Sequence, residues 1–242
     1  MYPITRDFPK HLLPVAGRPA IDYLVEQILD FQGIESIHVV TNAKFFDAFN
    51  DWQHQWSKEK GRKNIEIHIH NDGSTSTDNR LGPAGDLQFG LNCIGEPSRV
   101  VVAGGDNIFR FRLKPLWKRF LNTDHHHIIV LSETDREKLK KTSVPVLAKD
   151  DRVIRLYEKP DEPPSLWAHP QLYFFMPSVW TRLREFHHKG NRRGEREHFI
   201  DFLCRRESVY AFKLTASRFD IGSLDSYYEA DARLKREPLF QE

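Results

Sequence analysis

FPKHLLPVAGRP, covering Phe8–Pro19, is the stretch around which the rest of the chain is organised. Lys10 lies between a proline and a short apolar run, and a second proline and a glycine follow before a helix is predicted from Ala20. Because proline fixes its own backbone angle and restricts the residue before it, we expect Lys10 to lie on a stiff loop. A lysine held just ahead of a helix suits an anionic phosphate group. On residue types alone, a solvated lysine in a proline-rich turn stays open as the alternative.

The composition is that of an ordinary globular chain. Its 242 residues are 39% hydrophobic and 29% charged, which is enough for one sizeable core, and we predict a single domain over residues 1–242. A net charge of +2 argues against nucleic-acid binding through bulk charge, and no apolar run reaches membrane-spanning length. Cys93 and Cys204 are too far apart and too few for a disulfide framework or a cysteine-rich zinc site. The sequence therefore predicts a cytoplasmic protein without nucleic-acid or membrane partners.

Hydrophobic periodicity predicts alternating helices and strands. Helices are expected at Ala20–Phe31, Phe45–Trp56, Gly85–Ile94, Leu116–Leu121, Trp180–His187, Glu197–Arg205 and Leu224–Arg236. Strands are expected at Ser36–Thr41, Asn64–His70, Arg99–Ala103, His127–Leu131, Val144–Leu147, Val153–Tyr157, Leu172–Phe175 and Val209–Leu214. Arg99–Ala103 is predicted to be a buried parallel strand, because apolar residues follow Arg99 without interruption. This order predicts an α/β fold of the Rossmann-like kind, a three-layer α/β/α sandwich around a mostly parallel mixed sheet.

A second informative stretch, VVAGGDNIF at residues 101–109, contains Asp106 at the end of a predicted strand. Ligands of open α/β sheets gather at the carboxyl ends of strands, and the two glycines before Asp106 let a ligand approach the backbone. A carboxylate at such a place can hold Mg²⁺, which takes few protein ligands and completes its shell with phosphates and water. A turn aspartate that caps the next segment is an equal alternative from the residues alone.

The Pro-Lys-x-Leu-Leu-Pro-Val-x-Gly-x-Pro pattern around Lys10 resembles a signature of the sugar-phosphate nucleotidyltransferases, the NDP-sugar pyrophosphorylase-like family. Gly-Asp-Asn at residues 105–107 resembles that family's metal-binding turn, and FDIGS at residues 219–223 resembles its Asp-x-Gly-Thr turn. The resemblance implies that Lys10 contacts phosphate at the reacting centre and that Asp106 and Asp220 hold Mg²⁺. It also implies that Asn107 contributes to substrate binding. Ser223 replaces the usual threonine but keeps a hydroxyl that can cap the closing helix.

Two further segments carry the same resemblance. Tyr157–Pro160 resembles the family's Glu-Lys-Pro segment, which implies that Glu158 bonds sugar hydroxyls and that Lys159 approaches the sugar phosphate. LGPAG at residues 81–85 resembles the Leu-Gly-Thr-Ala-Gly loop that lies against the nucleotide base. Gly82, Ala84 and Gly85 are therefore implied to bind substrate.

The chain also departs from the family pattern. The family begins with a strand and a Gly-x-Gly-x-x-Arg phosphate loop, and the segment from Met1 matches the residues directly after that arginine, so we expect the first strand and that loop to be missing. Asp86 replaces a small apolar residue after the base loop. The segments Ser143–Pro145 and Gln171–Tyr173 occupy places where the family usually has glycines near the sugar. These departures leave the base and the acceptor open.

The resulting hypothesis is an enzyme that transfers a nucleoside monophosphate from a nucleoside triphosphate to a sugar 1-phosphate or a similar phosphate acceptor, with Mg²⁺ as cofactor. A catalytically impaired nucleotide-sugar-binding or regulatory protein on the same fold is the alternative, motivated by the missing loop. A glycosyltransferase ranks last, because such enzymes use Asp-x-Asp and this chain has Asp106-Asn107-Ile108. The sequence leaves the nucleotide, the acceptor and any homo-oligomer open.

Overall fold

The computed structural model describes residues 4–58, 65–96, 98–188 and 199–240, which form a mixed α/β structure. Its helices are α1 Ala20–Leu29, α2 Phe46–Lys58, α3 Gly82–Ile94, α4 Lys114–Leu121, α5 Arg136–Leu139, α6 Val179–His188, α7 Phe199–Cys204 and α8 Leu224–Leu234. Its strands are β1 Pro14–Val15, β2 Arg18–Pro19, β3 Ser36–Thr41, β4 Glu66–Asn71, β5 Val100–Ala103, β6 Asn107–Phe109, β7 His126–Ser132, β8 Ser143–Leu147, β9 Val153–Glu158, β10 Trp167–Ala168, β11 Leu172–Phe175, β12 Val209–Leu214 and β13 Arg218–Asp220. Within the described ranges, no helix combines the length and the apolar character needed to cross a membrane.

The predicted order of helices and strands is confirmed, and β3, β11 and β12 have the predicted bounds. The helix expected from Gly85 begins three residues earlier, at Gly82. The first two residues of the helix expected at Glu197–Arg205, and Asn64 of an expected strand, lie outside the described residues.

The chain divides into two compact units. The first comprises residues 1–94, 105–118 and 217–242, and the second comprises residues 95–104 and 119–216. The single domain expected over residues 1–242 stays a prediction.

In the first unit, β3 and β4 pair in parallel and separate two kinds of side chain. Ile37 lies opposite Ile67 and His38 opposite His68, so the aliphatic and imidazole side chains project to opposite faces. The aliphatic face packs with α1 and α2 in a core that includes Val25, Phe49, Trp52 and Trp56. The half-buried strand predicted from the alternation is confirmed over Glu66–His70.

A second core in this unit fixes β6 and β13. Ile108 of β6 and Phe219 of β13 are buried together with Val15, Tyr23 and Ala230. Burying one such large apolar side chain contributes roughly 1.5–3 kcal/mol. The two strands pair antiparallel, with residue 220 opposite residue 107, so this core holds the ends of both strands in register.

In the second unit, β7 is the central strand of a five-stranded sheet. β12 pairs with it in parallel, whereas β10 and β11 pair with it antiparallel, and β11 also pairs with β5. Phe120 of α4 stacks with Phe174 at a ring-centroid distance of 5.4 Å, and Phe174 meets Phe212 edge-on at 6.1 Å. A separate antiparallel pair, β8 with β9, brings Ser143 opposite Glu158.

The prediction that β5 is a buried parallel strand is wrong for the described part of the chain. Val100–Ala103 pairs antiparallel with β11, and its four residues are only half-buried. A short run of valines favours an extended backbone but carries no information about the direction of its neighbour.

His127 makes the stability of the second unit sensitive to acid. The residue is 5% exposed, and its ring stacks on Phe212 at 4.2 Å and donates from Nδ1 to the His125 carbonyl oxygen at 3.0 Å. Burial lowers the pKa of His127 to about 4. Because the unfolded chain then binds the proton more readily, this contribution to stability falls as the pH drops from about 6.5 towards 4.

We expect His127→Phe, which keeps the aromatic packing and removes the titrating ring, to make the free energy of unfolding depend less on pH. Between pH 7.5 and pH 5 the free energy of unfolding of the wild type should fall by about 2 kcal/mol more than that of the variant, from 1.36 kcal/mol per pKa unit. Urea unfolding at the two pH values measures the difference. Equal losses in both proteins would contradict the assignment.

Candidate active site

Lys10 lies on the stiff loop that the sequence predicts. Pro9 has an extended backbone (φ −69°, ψ 131°), and a single 3₁₀ turn follows over Lys10–Leu12. The Leu12 N–H donates to the Pro9 carbonyl at 3.0 Å, and the Leu13 N–H donates to the Lys10 carbonyl at 3.2 Å. Leu12 and Leu13 are both buried, so their side chains anchor the turn that carries Lys10.

A two-residue hairpin supports this loop. Ala16 and Gly17, between β1 and β2, both have positive φ angles of 48° and 88°, as a type I′ turn requires. The Tyr23 hydroxyl donates to the Val15 carbonyl at 2.9 Å, and the Ala20 N–H donates to the Leu13 carbonyl at 3.0 Å. The hairpin is thus tied to the first turn of α1, which fixes the loop on its other side.

The ammonium group of Lys10 forms an ion pair with the carboxylate of Asp106, at 2.5 Å between Nζ and Oδ2. The two side chains are 32% and 20% exposed, so the pair is open to a ligand but partly shielded from water. Burial alone would raise the pKa of Asp106, but the charge and hydrogen bond of Lys10, helped by Arg218, lower it below its usual value. Asp106 is therefore ionised at neutral pH.

The pairing of β6 with β13 positions Asp220 at the same site as Asp106. Asp220 lies opposite Asn107, and the Ile221 N–H donates to the Asp106 carbonyl at 3.1 Å. The Asp220 carboxylate accepts the Gly222 N–H at 2.8 Å, and a Cβ on residue 222 would lie 2.8 Å from that same oxygen. A side chain at residue 222 would therefore displace the Asp220 carboxylate from this position.

Asn107 and Arg218 connect the two carboxylates. The buried Asn107 amide donates to Asp106 Oδ1 at 3.1 Å and accepts a hydrogen bond from the Arg218 guanidinium. The same guanidinium donates to Asp220 Oδ2 at 3.2 Å. Asn107, which the resemblance implies as a substrate-binding residue, thus has both ends of its amide engaged in orienting the site.

His11 and Arg218 are two residues of this site that the sequence did not predict. A Cβ on residue 105 would lie 3.1 Å from His11 Cδ2, so the ring fills the space that the glycine leaves free. Burial, helped by Lys10, lowers the pKa of His11 to about 4, which leaves the ring neutral beside the ion pair. The sequence feature that could have indicated His11 is its position directly after Lys10.

The base-loop residues lie at the start of α3, also in the first unit. Gly82 has φ +76°, which favours glycine, and a Cβ on residue 85 would lie 2.7 Å from Leu81 Cβ. Ala84 follows in the first turn of the same helix. Asp86 has a buried Oδ1 without a hydrogen-bond partner, and burial, reinforced by Asp72, raises its pKa to about 6. Asp86 therefore adds a carboxyl with a raised pKa to α3, directly after Gly85.

Glu158 and Lys159 lie in the second unit, at the end of β9. The Ser143 hydroxyl donates to one Glu158 carboxylate oxygen, and Lys159 Nζ lies 3.9 Å from the other. Lys159 has φ +43°, an unusual angle for a residue with a side chain, and its N–H donates to the Thr142 carbonyl at 3.1 Å. Strained residues of this kind often occur at functional sites.

The donor chemistry of Asp106 and Asp220 fits Mg²⁺. Both offer carboxylate oxygens, the hard ligands that Mg²⁺ prefers, and they come from the paired ends of two short strands. No group of three or more histidine, cysteine or acidic side chains placed to hold a metal occurs in the described ranges. Two protein carboxylates leave the remaining coordination positions to phosphates and water, which is the usual arrangement for this ion.

A lysine, an arginine and two carboxylates thus lie at the ends of short strands in an α/β chain, and this set of groups suits a phosphorylated ligand. Residues 1–237 match the family model described as Nucleotidyl transferase. The chain belongs to this family, as its lysine and aspartate motifs predict.

Curated relatives agree with this assignment, and a solved structure shares the fold. The UTP–glucose-1-phosphate uridylyltransferase of Pseudomonas aeruginosa is 30% identical over 260 residues, covering 94% of this chain and 88% of that protein. The UTP–glucose-1-phosphate uridylyltransferase AglF of Haloferax volcanii is 27% identical over 238 residues, covering 97% and 91%. A Bacillus anthracis protein crystallised with sucrose, provisionally described as a glucose-1-phosphate thymidylyltransferase, superposes with a TM-score of 0.82 at 23% identity, covering 100% of this chain and 92% of that one. The similarity confirms the predicted α/β fold.

Proposed function

We propose that this protein transfers a nucleoside monophosphate from a nucleoside triphosphate to a sugar 1-phosphate and releases pyrophosphate. The observation that carries the proposal is the Lys10–Asp106 ion pair with Asp220 beside it on the paired strand, in a chain of the nucleotidyl transferase family. The names of the relatives support UTP and glucose 1-phosphate as the first substrates to test.

In the proposed reaction, an oxygen of the acceptor phosphate attacks the α-phosphorus of the nucleotide. The bond from the α-phosphorus to the bridging oxygen breaks, and pyrophosphate leaves with that electron pair. An acceptor phosphate is already ionised at neutral pH, so no side chain has to remove a proton. The protein therefore contributes mainly by positioning the two phosphates and by offsetting their charge.

Lys10 is the residue we assign to the reacting phosphates. Its ammonium group is 32% exposed and sits on a loop held at both ends, so it can turn from Asp106 to a bound phosphate without rebuilding the backbone. Asp106 and Asp220 are assigned to Mg²⁺. When bound, the ion would supply further charge neutralisation for the phosphate oxygens.

The remaining assignments divide between the two substrates. Gly82, Ala84 and Gly85, at the start of α3, are proposed to face the base, where a backbone without large side chains permits close approach. Glu158, held by Ser143, and Lys159 are proposed to bind the acceptor's hydroxyls and its phosphate.

Pyrophosphate release from the full chain tests the function. We expect release with UTP, glucose 1-phosphate and Mg²⁺ together, and only background when any one of the three is omitted. Release that does not depend on the acceptor would instead indicate a hydrolase, and would contradict the proposal.

Glu158→Gln tests the acceptor assignment separately. We expect KM for glucose 1-phosphate to rise about tenfold, which corresponds to about 1.4 kcal/mol and lies near the lower end of the roughly 1.5–3 kcal/mol of a hydrogen bond to a charged group, with KM for UTP unchanged. Glu162→Gln, an exposed carboxyl in the same unit, is the matched control and should leave both constants unchanged. An equal rise in both KM values for Glu158→Gln would point to a general structural effect.

A further inference from the structure

Each of the two carboxylates assigned to Mg²⁺ already forms an ion pair with a positively charged side chain. Lys10 pairs with Asp106 at 2.5 Å, and Arg218 donates to Asp220 at 3.2 Å. The four side chains together have a formal charge of zero. A metal ion that enters this site alone therefore meets two positive groups as well as two negative ones.

The side chain of Arg218 is held in position by its strand and by its hydrogen bonds. Arg218 lies opposite Phe109 in the β6–β13 pair, two residues before Asp220, so the two side chains share one face of the strand. Its side chain is only 15% exposed, and its guanidinium also bonds the buried Asn107 amide. An arginine with these bonds stays at the site, whereas Lys10 on its loop is freer to turn to a ligand.

The orientation of Asp220 does not depend on Arg218 alone. The Gly222 N–H holds the other carboxylate oxygen at 2.8 Å. Removing the guanidinium should consequently leave the carboxylate in place while taking away the positive charge beside it.

We infer that Arg218 is a positioning residue that weakens the binding of a bare divalent cation and reserves the site for a cation accompanied by a polyphosphate. Two positive charges within a few ångströms repel each other strongly at a partly buried site. The phosphates of a nucleoside triphosphate supply several negative charges, which offset both the cation and the guanidinium. The inference rests on the proposed metal assignment, but it needs no turnover to be tested.

The experiment measures binding of Mn²⁺, as a spectroscopic substitute for Mg²⁺, to the full chain by electron paramagnetic resonance without nucleotide. We expect Arg218→Met to bind Mn²⁺ at least tenfold more tightly than the wild type, and Arg218→Lys, which keeps the charge, to stay within threefold of it. With saturating UTP, the difference between Arg218→Met and the wild type should shrink below threefold.

Arg233→Met is the matched control, because Arg233 is an α8 guanidinium that contacts Phe219 but pairs with Glu229 and Glu237. Its Mn²⁺ affinity should equal that of the wild type. If Arg218→Met does not fold by circular dichroism, Arg218→Gln, which keeps an amide donor, takes its place with the same expectation.

Unchanged or weaker Mn²⁺ binding in Arg218→Met would overturn the inference, as would an absence of Mn²⁺ binding in every variant. A protein that releases no pyrophosphate but shows the tighter binding would leave the inference standing and refute the proposed function.

Discussion

Asp106→Asn is expected to lower kcat for pyrophosphate release by at least a thousandfold, which corresponds to about 4 kcal/mol of transition-state stabilisation. The substitution keeps the size of the side chain but removes the charge that pairs with Lys10 at 2.5 Å. It also removes one of the two carboxylates assigned to Mg²⁺. An amide is a much poorer ligand for this ion, so the loss should appear in kcat and in the Mg²⁺ concentration needed for half-maximal rate.

Asp51→Asn, an exposed change on α2 in the same unit, is the matched control and should retain wild-type rates. Thermal unfolding of both variants shows whether the fold is intact. A folded Asp106→Asn protein with more than a tenth of wild-type kcat would remove Asp106 from the metal site.

Lys10→Met should lower kcat by about a hundredfold to a thousandfold, the range found when one preorganised donor to a developing charge is removed. Methionine keeps much of the apolar stem, and the loop's anchors, the buried Leu12 and Leu13 with their backbone hydrogen bonds, are untouched. The effect should therefore be on rate and not on folding.

Lys58→Met, at the exposed end of α2, removes a similar charge away from the loop and should have no effect on kcat. Stopped-flow or single-turnover measurements with saturating UTP would separate binding from chemistry. If Lys10→Met raised KM for UTP without changing kcat, the lysine would be a ground-state contact only.

Much of the fold can be predicted from local sequence. The apolar alternation of β4, the strand at Val209–Leu214 and the proline-bounded Lys10 loop all have the predicted character. β6 and β13 could not be predicted in this way, because each has three residues and their pairing joins segments more than a hundred residues apart. The direction of β5 was missed for a related reason, since strand polarity is set by tertiary neighbours and not by a valine run.

The residues of the candidate site could likewise be predicted only in part. The sequence singles out Lys10, Asp106 and Asp220, and the structure places them around one pair of strand ends, whereas their roles stay predictions. His11 and Arg218 were missed because their importance lies in the space they fill or the charge they neutralise. His11 occupies the space above Gly105, and Arg218 bonds Asp220 and Asn107. An arginine two residues before an aspartate on a strand is a usable signal, because alternate residues share a face.

The most direct test of the central claim traces an ¹⁸O label by ³¹P NMR. Glucose 1-phosphate labelled in its phosphate oxygens is incubated with UTP, Mg²⁺ and the full chain. We expect equal amounts of nucleotide sugar and pyrophosphate, with ¹⁸O in the oxygen that bridges the two phosphorus atoms of the nucleotide sugar and none in the pyrophosphate. Label in the pyrophosphate, or binding of UTP without any nucleotide sugar formed, would contradict the proposed function.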